Sequence, residues 1–252
     1  MALWIALALA FSPVALDLGQ HLAANPWARY AVVFPLLFAR LALRDDRRPR
    51  APIGTLWIVA GLAWEVAMSF TGAMRWARHA PVLAAIGLCQ REGIGSWRSR
   101  ALLLFAVPVP AFVVKLGERG VASAMGEWAA RVGSFGDRTL ALTSSVIQSG
   151  ADEVVAMNRG WISFAVLLAG LAWYDGALLR RPLPATVAFC AVAAALAWPI
   201  QALSLAAAVG VALLGATGVA QAWVNDGVWL STALAGFAIS EARLRRSDAV
   251  AA

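Results

Sequence analysis

The feature that most constrains this chain is a succession of apolar runs, each near the length a helix needs to cross a bilayer. A helix rises about 1.5 Å per residue, so about 20 mostly apolar residues span a hydrocarbon layer of about 30 Å. Stretches 2–18, 28–43, 52–70, 73–89, 99–115, 160–178, 184–213 and 217–240 fit that description. The seventh is too long for one crossing. Pro199 inside it predicts a break or bend, leaving one span and a short helix near the surface. The expected fold is an all-α membrane protein of about eight transmembrane helices in a single integral membrane domain over 1–252.

The residue balance agrees. Hydrophobic residues make up 61% of the chain and charged residues 14%, against about 45–50% and 25% in soluble domains. In a soluble protein a formal net charge of +7 would point to nucleic acid. Here the basic residues cluster between apolar runs, which points to membrane topology and away from nucleic acid. The opening MALWIALALAFSPVALDL has no basic n-region and no small-x-small cleavage site. It therefore reads as a first span rather than a signal peptide.

Basic residues near span ends set the orientation. With the N-terminus inside, the cytoplasmic side receives 44-RDDRRPR-50, 180-RR-181 and 243-RLRR-246 together with Arg40, Arg91, Arg98 and Arg100. The opposite side receives Arg29, Arg75, Arg78, Lys115, Arg119, Arg131, Arg138 and Arg159. The densest clusters fall inside, which predicts N-in and C-in. The long polar segment 116–157 then lies outside. Val121, Met125, Trp128 and Val132 recur at helical spacing in 117–133 and predict an amphipathic interfacial helix. Stretch 139–157 alternates loosely around a Ser-Gly turn signal and predicts a hairpin-like strand–turn–strand element.

Three stretches carry a resemblance. The run 102-LLLFAVPVPAFVVKLGERGVASAMGEWAARV-132 has a Pro-x-Pro segment followed by an outer amphipathic helix, 139–157 leads into a span opening at Asn158, and 225-NDGVW-229 opens the last span. This order resembles the exosortase/archaeosortase family, multi-pass membrane proteins that cleave a C-terminal sorting signal and transfer the product. The resemblance covers about residues 28–240. It implies a Cys at the outer start of the sixth span, an Arg after the seventh and a His at the outer start of the eighth. A thiolate, a cation that lowers its pKa or holds an oxyanion, and an imidazole to move a proton make a coherent set. Here Asn158, Ser204 and Asn225 stand at those positions, with Gln201 opening the expected Asn-x-x-Arg pattern. Neither amides nor a hydroxyl titrate near neutrality, so the expectation is a degenerate, non-catalytic member. Asn158, Arg159, Gln201, Asn225 and Asp226, with Glu65 in the third span, are the candidate binding residues.

Other residues read as structural. Cys89 and Cys190 fall in apolar surroundings, where thiols are inert, and their spacing suits no metal site. Glu65 is expected to pair with Arg75, Arg78 or Arg159, and Asp226 with Arg159. Asp17 and Asp175 fall at span ends and read as solvated. Trp4, Trp27, Trp97, Trp161 and Trp229 fit an aromatic belt, with Trp223 and Trp229 flanking Asn225 as a candidate stacking wall. No cofactor and no metal are expected. The expected partners are membrane lipid and other membrane proteins or a membrane-anchored C-terminal segment, at a bacterial inner membrane. Three functions remain open: an inactive binding relative, an active peptidase with atypical residues, and a structural subunit of a larger complex.

Overall fold

The computed structural model describes residues 2–45, 49–71, 73–109, 111–134, 140–143, 146–149, 152–156 and 160–251. Its contacts divide the chain into two compact units, Met1–Pro108 and Val109–Ala252.

The first unit is helical. It runs α1 (Ala2–Ala10), α2 (Ser12–Ala24), a 3-10 segment Pro26–Val32 that continues as α3 (Val33–Arg44), α4 (Gly54–Phe70), α5 (Met74–Ala77), α6 (Ala80–Glu92), α7 (Trp97–Ala101) and a 3-10 segment Leu102–Ala106. The predicted first span is interrupted at Phe11, ahead of Pro13 in the first turn of α2. Pro13 has no N–H to offer the Leu9 carbonyl, and the Ser12 hydroxyl donates to that oxygen at 2.8 Å. Leu7 and Phe11 then pack with Ile58 of α4 and Ala80, Ala84 and Leu88 of α6.

Helices α4 and α6 meet backbone to backbone. A Cβ placed on Gly54 would lie 2.4 Å from the Gly87 carbonyl oxygen, and one on Gly87 would lie 2.5 Å from that of Gly54. Gly61 faces the Ala80 carbonyl at 2.7 Å in the same way. Small residues a turn or two apart remove the side chains that would hold the axes apart, the packing mode typical of helices in lipid. At the end of α6, Gly93 takes φ 70°, and Ile94 N–H returns to the Cys89 carbonyl at 2.7 Å. Ser96 caps α7, and Asp45 accepts from Ser96 N–H and the Ser99 hydroxyl at 2.8 and 2.7 Å.

The second unit holds α8 (Ala111–Gly133), β1 (Leu140–Thr143), β2 (Val146–Ser149), β3 (Asp152–Ala156), α9 (Trp161–Leu178), α10 (Leu183–Ala195), α11 (Ala197–Leu213), α12 (Thr217–Ala222), a π-helical turn Trp223–Gly227 and α13 (Val228–Ala251). The strands form an antiparallel meander in the order β1-β2-β3. Ile147 and Val155 turn inward against Ala129 and Ala130 of α8 and Leu205, Ala208 and Val209 of α11, with Val224 closing the cluster.

Several sequence expectations change here. Segment 99–115 is not one helix: the backbone is extended at Val107, before Pro108, as the proline ring requires of its predecessor. The Ser-Gly turn signal falls between β2 and β3, but 139–157 has a third strand, β1, ahead of them. On α8, Met125, Ala129 and Ala130 are buried while Val132 is 44% exposed, so the expected stripe does not coincide with the side that packs. The chain bends at Leu196 rather than at Pro199 itself. Proline 199 has no N–H for the carbonyl of Ala195 and crowds it, so the disturbance falls one turn earlier.

Among the described residues three helical stretches are long and apolar enough to cross a membrane: Pro26–Arg44, Trp161–Leu178 and Leu183–Leu213. Their burial differs. The most apolar window of Trp161–Leu178 is 56% buried within the chain, against 11% for that of Leu183–Leu213. The latter window therefore faces almost wholly outward, whereas the rest of α11 buries Leu205, Ala208, Val209 and Ala212 in the core; something other than water must cover the outward face.

Candidate functional site

In the second unit α11 carries Gln201 and Ser204, and the π turn after α12 carries Asn225 and Asp226. In that turn Val228 N–H bonds back to the Trp223 carbonyl, five residues earlier, inserting an extra residue into the helix. Such bulges recur at functional sites because they turn a side chain out of helical register. Asn225 and Asp226 both lie in it, Asn225 half-buried and Asp226 exposed.

Gln221 connects this turn to the sheet. Its Oε1 accepts from Ala156 N–H at 2.8 Å, and its Nε2 donates to the Ala156 carbonyl at 3.2 Å. The obligate backbone donor fixes which end of the amide is oxygen. Nε2 then has a second hydrogen for Asn225 Oδ1, at 3.2 Å. The end of β3 is thus tied through one glutamine to the residue that stands where the resemblance places a histidine. Asn158 and Arg159 lie outside the described residues, as does the expected Asp226–Arg159 pair.

On the other side of the turn, Trp223 Nε1 donates to Ser204 Oγ at 2.9 Å. Gly227 makes room for that indole: a Cβ there would lie 2.4 Å from the ring. Gln201, one turn before Ser204 on α11, is buried at 8% exposure. A cavity of about 550 Å³ opens beside this pair, lined by Leu203, Ser204, Ala207, Val211, Val219 and Trp223 among others. It is apolar apart from its hydroxyls and the indole N–H. Trp229 does not share a stacking wall with Trp223. It is 5% exposed and meets Phe164 edge-on, with centroids 5.1 Å apart. Ser163, in the first turn of α9, has a buried hydroxyl with no hydrogen-bond partner among the described residues.

The hydrogen-bonded groups of the arrangement are amides, a hydroxyl and an indole, which can bind and orient a ligand, and the exposed carboxylate of Asp226 lies beside them. Among the described residues no group of three His, Cys, Asp or Glu side chains is placed to hold a metal ion. Cys89 is buried, and Cys190 is half-buried on α10.

In the first unit Glu65 lies half-buried on α4. Arg78, one of its expected partners, bonds Asp17 at 2.7 Å, so Asp17 is paired rather than merely solvated. His21 accepts at Nδ1 from the Asn25 amide at 3.1 Å, which leaves the proton on Nε2; that nitrogen is buried without a partner among the described residues. Burial, and then the Arg78 guanidinium, push the His21 pKa below its ordinary value, with Asp17 opposing.

Sequence reasoning missed two groups. Asp175, read as solvated, is 2% exposed and lies between Arg181 at 3.0 Å and Arg243 at 3.5 Å. Beside it Tyr174 donates to Glu241 at 2.7 Å. An acid inside an apolar run was the available signal, since such a group needs a partner. Gln221 gave no signal beyond its spacing of four residues from Asn225. No family model, curated protein or solved structure matches the chain.

Proposed function

We propose that this is an exosortase-like integral membrane protein that holds a membrane-anchored segment of another protein at the outer face of a bacterial inner membrane without cleaving it. The chain crosses the membrane eight times in this reading, N-in and C-in. The observation that carries it is the Ala156–Gln221–Asn225 link in the π turn. At the position where the resemblance implies a proton-transferring imidazole, an amide side chain is engaged with a neighbouring amide that is itself committed to the backbone. Its chemistry is that of a positioning group. The adjoining apolar cavity, with Ser204 and Trp223 at its edge, suits one face of a hydrophobic anchor helix.

The test uses the full chain in a mild detergent and a fluorescent synthetic peptide made of an apolar span with a short polar outer segment. Saturable binding, weakened by Val219→Trp in the cavity, with the peptide recovered intact by mass spectrometry, is the expected outcome. Cleavage of the peptide supports an active peptidase instead. Absence of binding removes the reading and leaves the structural-subunit role.

A further inference from the structure

A second cavity lies in the same unit, between α9, the bend joining α10 to α11, and α13. Its volume is about 380 Å³, within the range of small-molecule sites. Leu171, Ala172, Phe189, Ala193, Gly236 and Ile239 supply apolar walls, and Asp175, Ser240 and Arg243 form one end. From Thr232 to Arg243 the α13 wall is about 16 Å long, at 1.5 Å per residue. The site is therefore an elongated apolar groove with a charged end.

The charge at that end is not balanced. Asp175 is shared by Arg181 and Arg243. Over residues 175–181 and 240–246, five arginines (180, 181, 243, 245 and 246) stand against Asp175 and Glu241, an excess of three positive charges. Arg243 keeps 46% of its side chain exposed while reaching Asp175 at only 3.5 Å, so it retains donors for another anion. Arg181 lies over the Phe189 ring, 5.4 Å from its centroid, on the groove wall.

We infer that this groove is a binding site for one anionic phospholipid, with an acyl chain along α9 and α13 and the phosphate against Arg243 and Arg181. The charge excess selects an anion, and the apolar length selects a chain attached to it. A neutral apolar helix would satisfy only the groove, and a free phosphate only the arginines. Basic pockets at the cytoplasmic ends of transmembrane helices recognise lipid head groups on this principle. The outward-facing surface of Leu183–Leu213, which forms one wall, gives such a lipid direct entry. The inference rests on the membrane-spanning reading and is separate from the reading of the outer face.

The experiment takes delipidated full-length protein in a mild detergent and titrates it with phosphatidylglycerol or phosphatidylcholine of identical chains, read by native mass spectrometry. One phosphatidylglycerol should bind in preference to phosphatidylcholine. Arg243→Gln should weaken it about fivefold, the worth of one guanidinium near an anionic head group, while Arg243→Lys largely retains it. Ala235→Leu starts from an exposed position and grows into the groove, so it should lower occupancy by both lipids. It also carries the test if Arg243→Gln melts early. Equal affinity for the two lipids, displacement of phosphatidylglycerol by inorganic phosphate, or indifference to Ala235→Leu would each overturn the inference. Anchor-peptide binding measured on the same variants should stay unchanged, which separates failure here from failure at the outer face.

Discussion

At the scale of single residues, the second unit depends on polar side chains that replace water inside an apolar environment. Gln221 is the clearest, because one amide satisfies both backbone groups of Ala156 and also reaches Asn225. Gln221→Leu should cost about 1–3 kcal/mol, since the Ala156 donor loses its acceptor without water to replace it; thermal melts in detergent measure the loss. An unchanged melting temperature would mean that the link contributes nothing. His21 makes the opposite kind of prediction, one about pH. Its folded pKa lies below the ordinary 6.5, so between those two values the unfolded chain binds the proton and the folded chain does not. The stability that His21 contributes is therefore fully present above pH 6.5 and declines as pH falls toward the folded pKa. His21→Gln should flatten that part of a melting-temperature profile, and an equally steep profile in the variant would refute the assignment. Neither residue was legible as such. Asn225 and Ser204 could be named from the resemblance; Gln221 stands at ordinary helical spacing from Asn225 but its bond to Ala156 is tertiary, as is that of Trp223 to Ser204, and no spacing rule anticipates either.

At the scale of elements, prolines, glycines and turns explain most of the agreement and most of the departures. Apolar runs of helical length marked α4 and α9 nearly to their ends, and α3 only together with the 3-10 segment Pro26–Val32 before it. The same criterion failed at 99–115, where hydropathy is continuous but Pro108 interrupts the backbone, and the alternation over 139–157 did not separate β1 from β2. Small residues in α4 and α6 were visible in the sequence, yet which of them face each other depends on how the two helices cross. Gly87→Leu should destabilise the first unit by about 1–3 kcal/mol, since the new side chain meets the Gly54 carbonyl and Trp57. Gly210→Ala is the contrasting case, with open space around it and a helical backbone, and should stabilise by about 0.5–1 kcal/mol. If the two substitutions shift the melting temperature alike, close helix approach is not what α4 and α6 depend on. The α9–α10 turn offers another test at this scale. Arg180 holds φ 53° where glycine is the usual occupant, while Arg181 N–H returns to the Gly176 carbonyl at 2.9 Å. Arg180→Gly should therefore keep or raise stability, up to about 1 kcal/mol, despite removing a charge from the cluster; a clear loss would show that the guanidinium outweighs the backbone strain.

At the scale of the whole chain, the decisive quantity is the number of crossings between the sheet and the C-terminal end of α13, because it decides whether the two lie on the same side of a membrane. Hydropathy supplies candidate spans and arginine clusters supply a direction, and neither depends on how the helices pack. Among the described residues three apolar helices are long enough to cross, and the most apolar window of Leu183–Leu213 is only 11% buried within the chain. Thr143 in β1 and Ser247 in α13 are both exposed and are separated in the eight-span arrangement by three crossings, made by α9, by α10–α11 and by α12–α13. An odd number puts them on opposite sides. In right-side-out bacterial spheroplasts, Thr143→Cys should react with a membrane-impermeant maleimide at once, and Ser247→Cys only after permeabilisation. The native thiols supply little background, since Cys89 is buried and Cys190 lies half-buried within an apolar helix. Labelling of both engineered cysteines from the same side requires an even number of crossings. Leu183–Leu213 would then have to turn back at Leu196, and the basic end of α13 would lie beside the sheet instead of across the membrane from it.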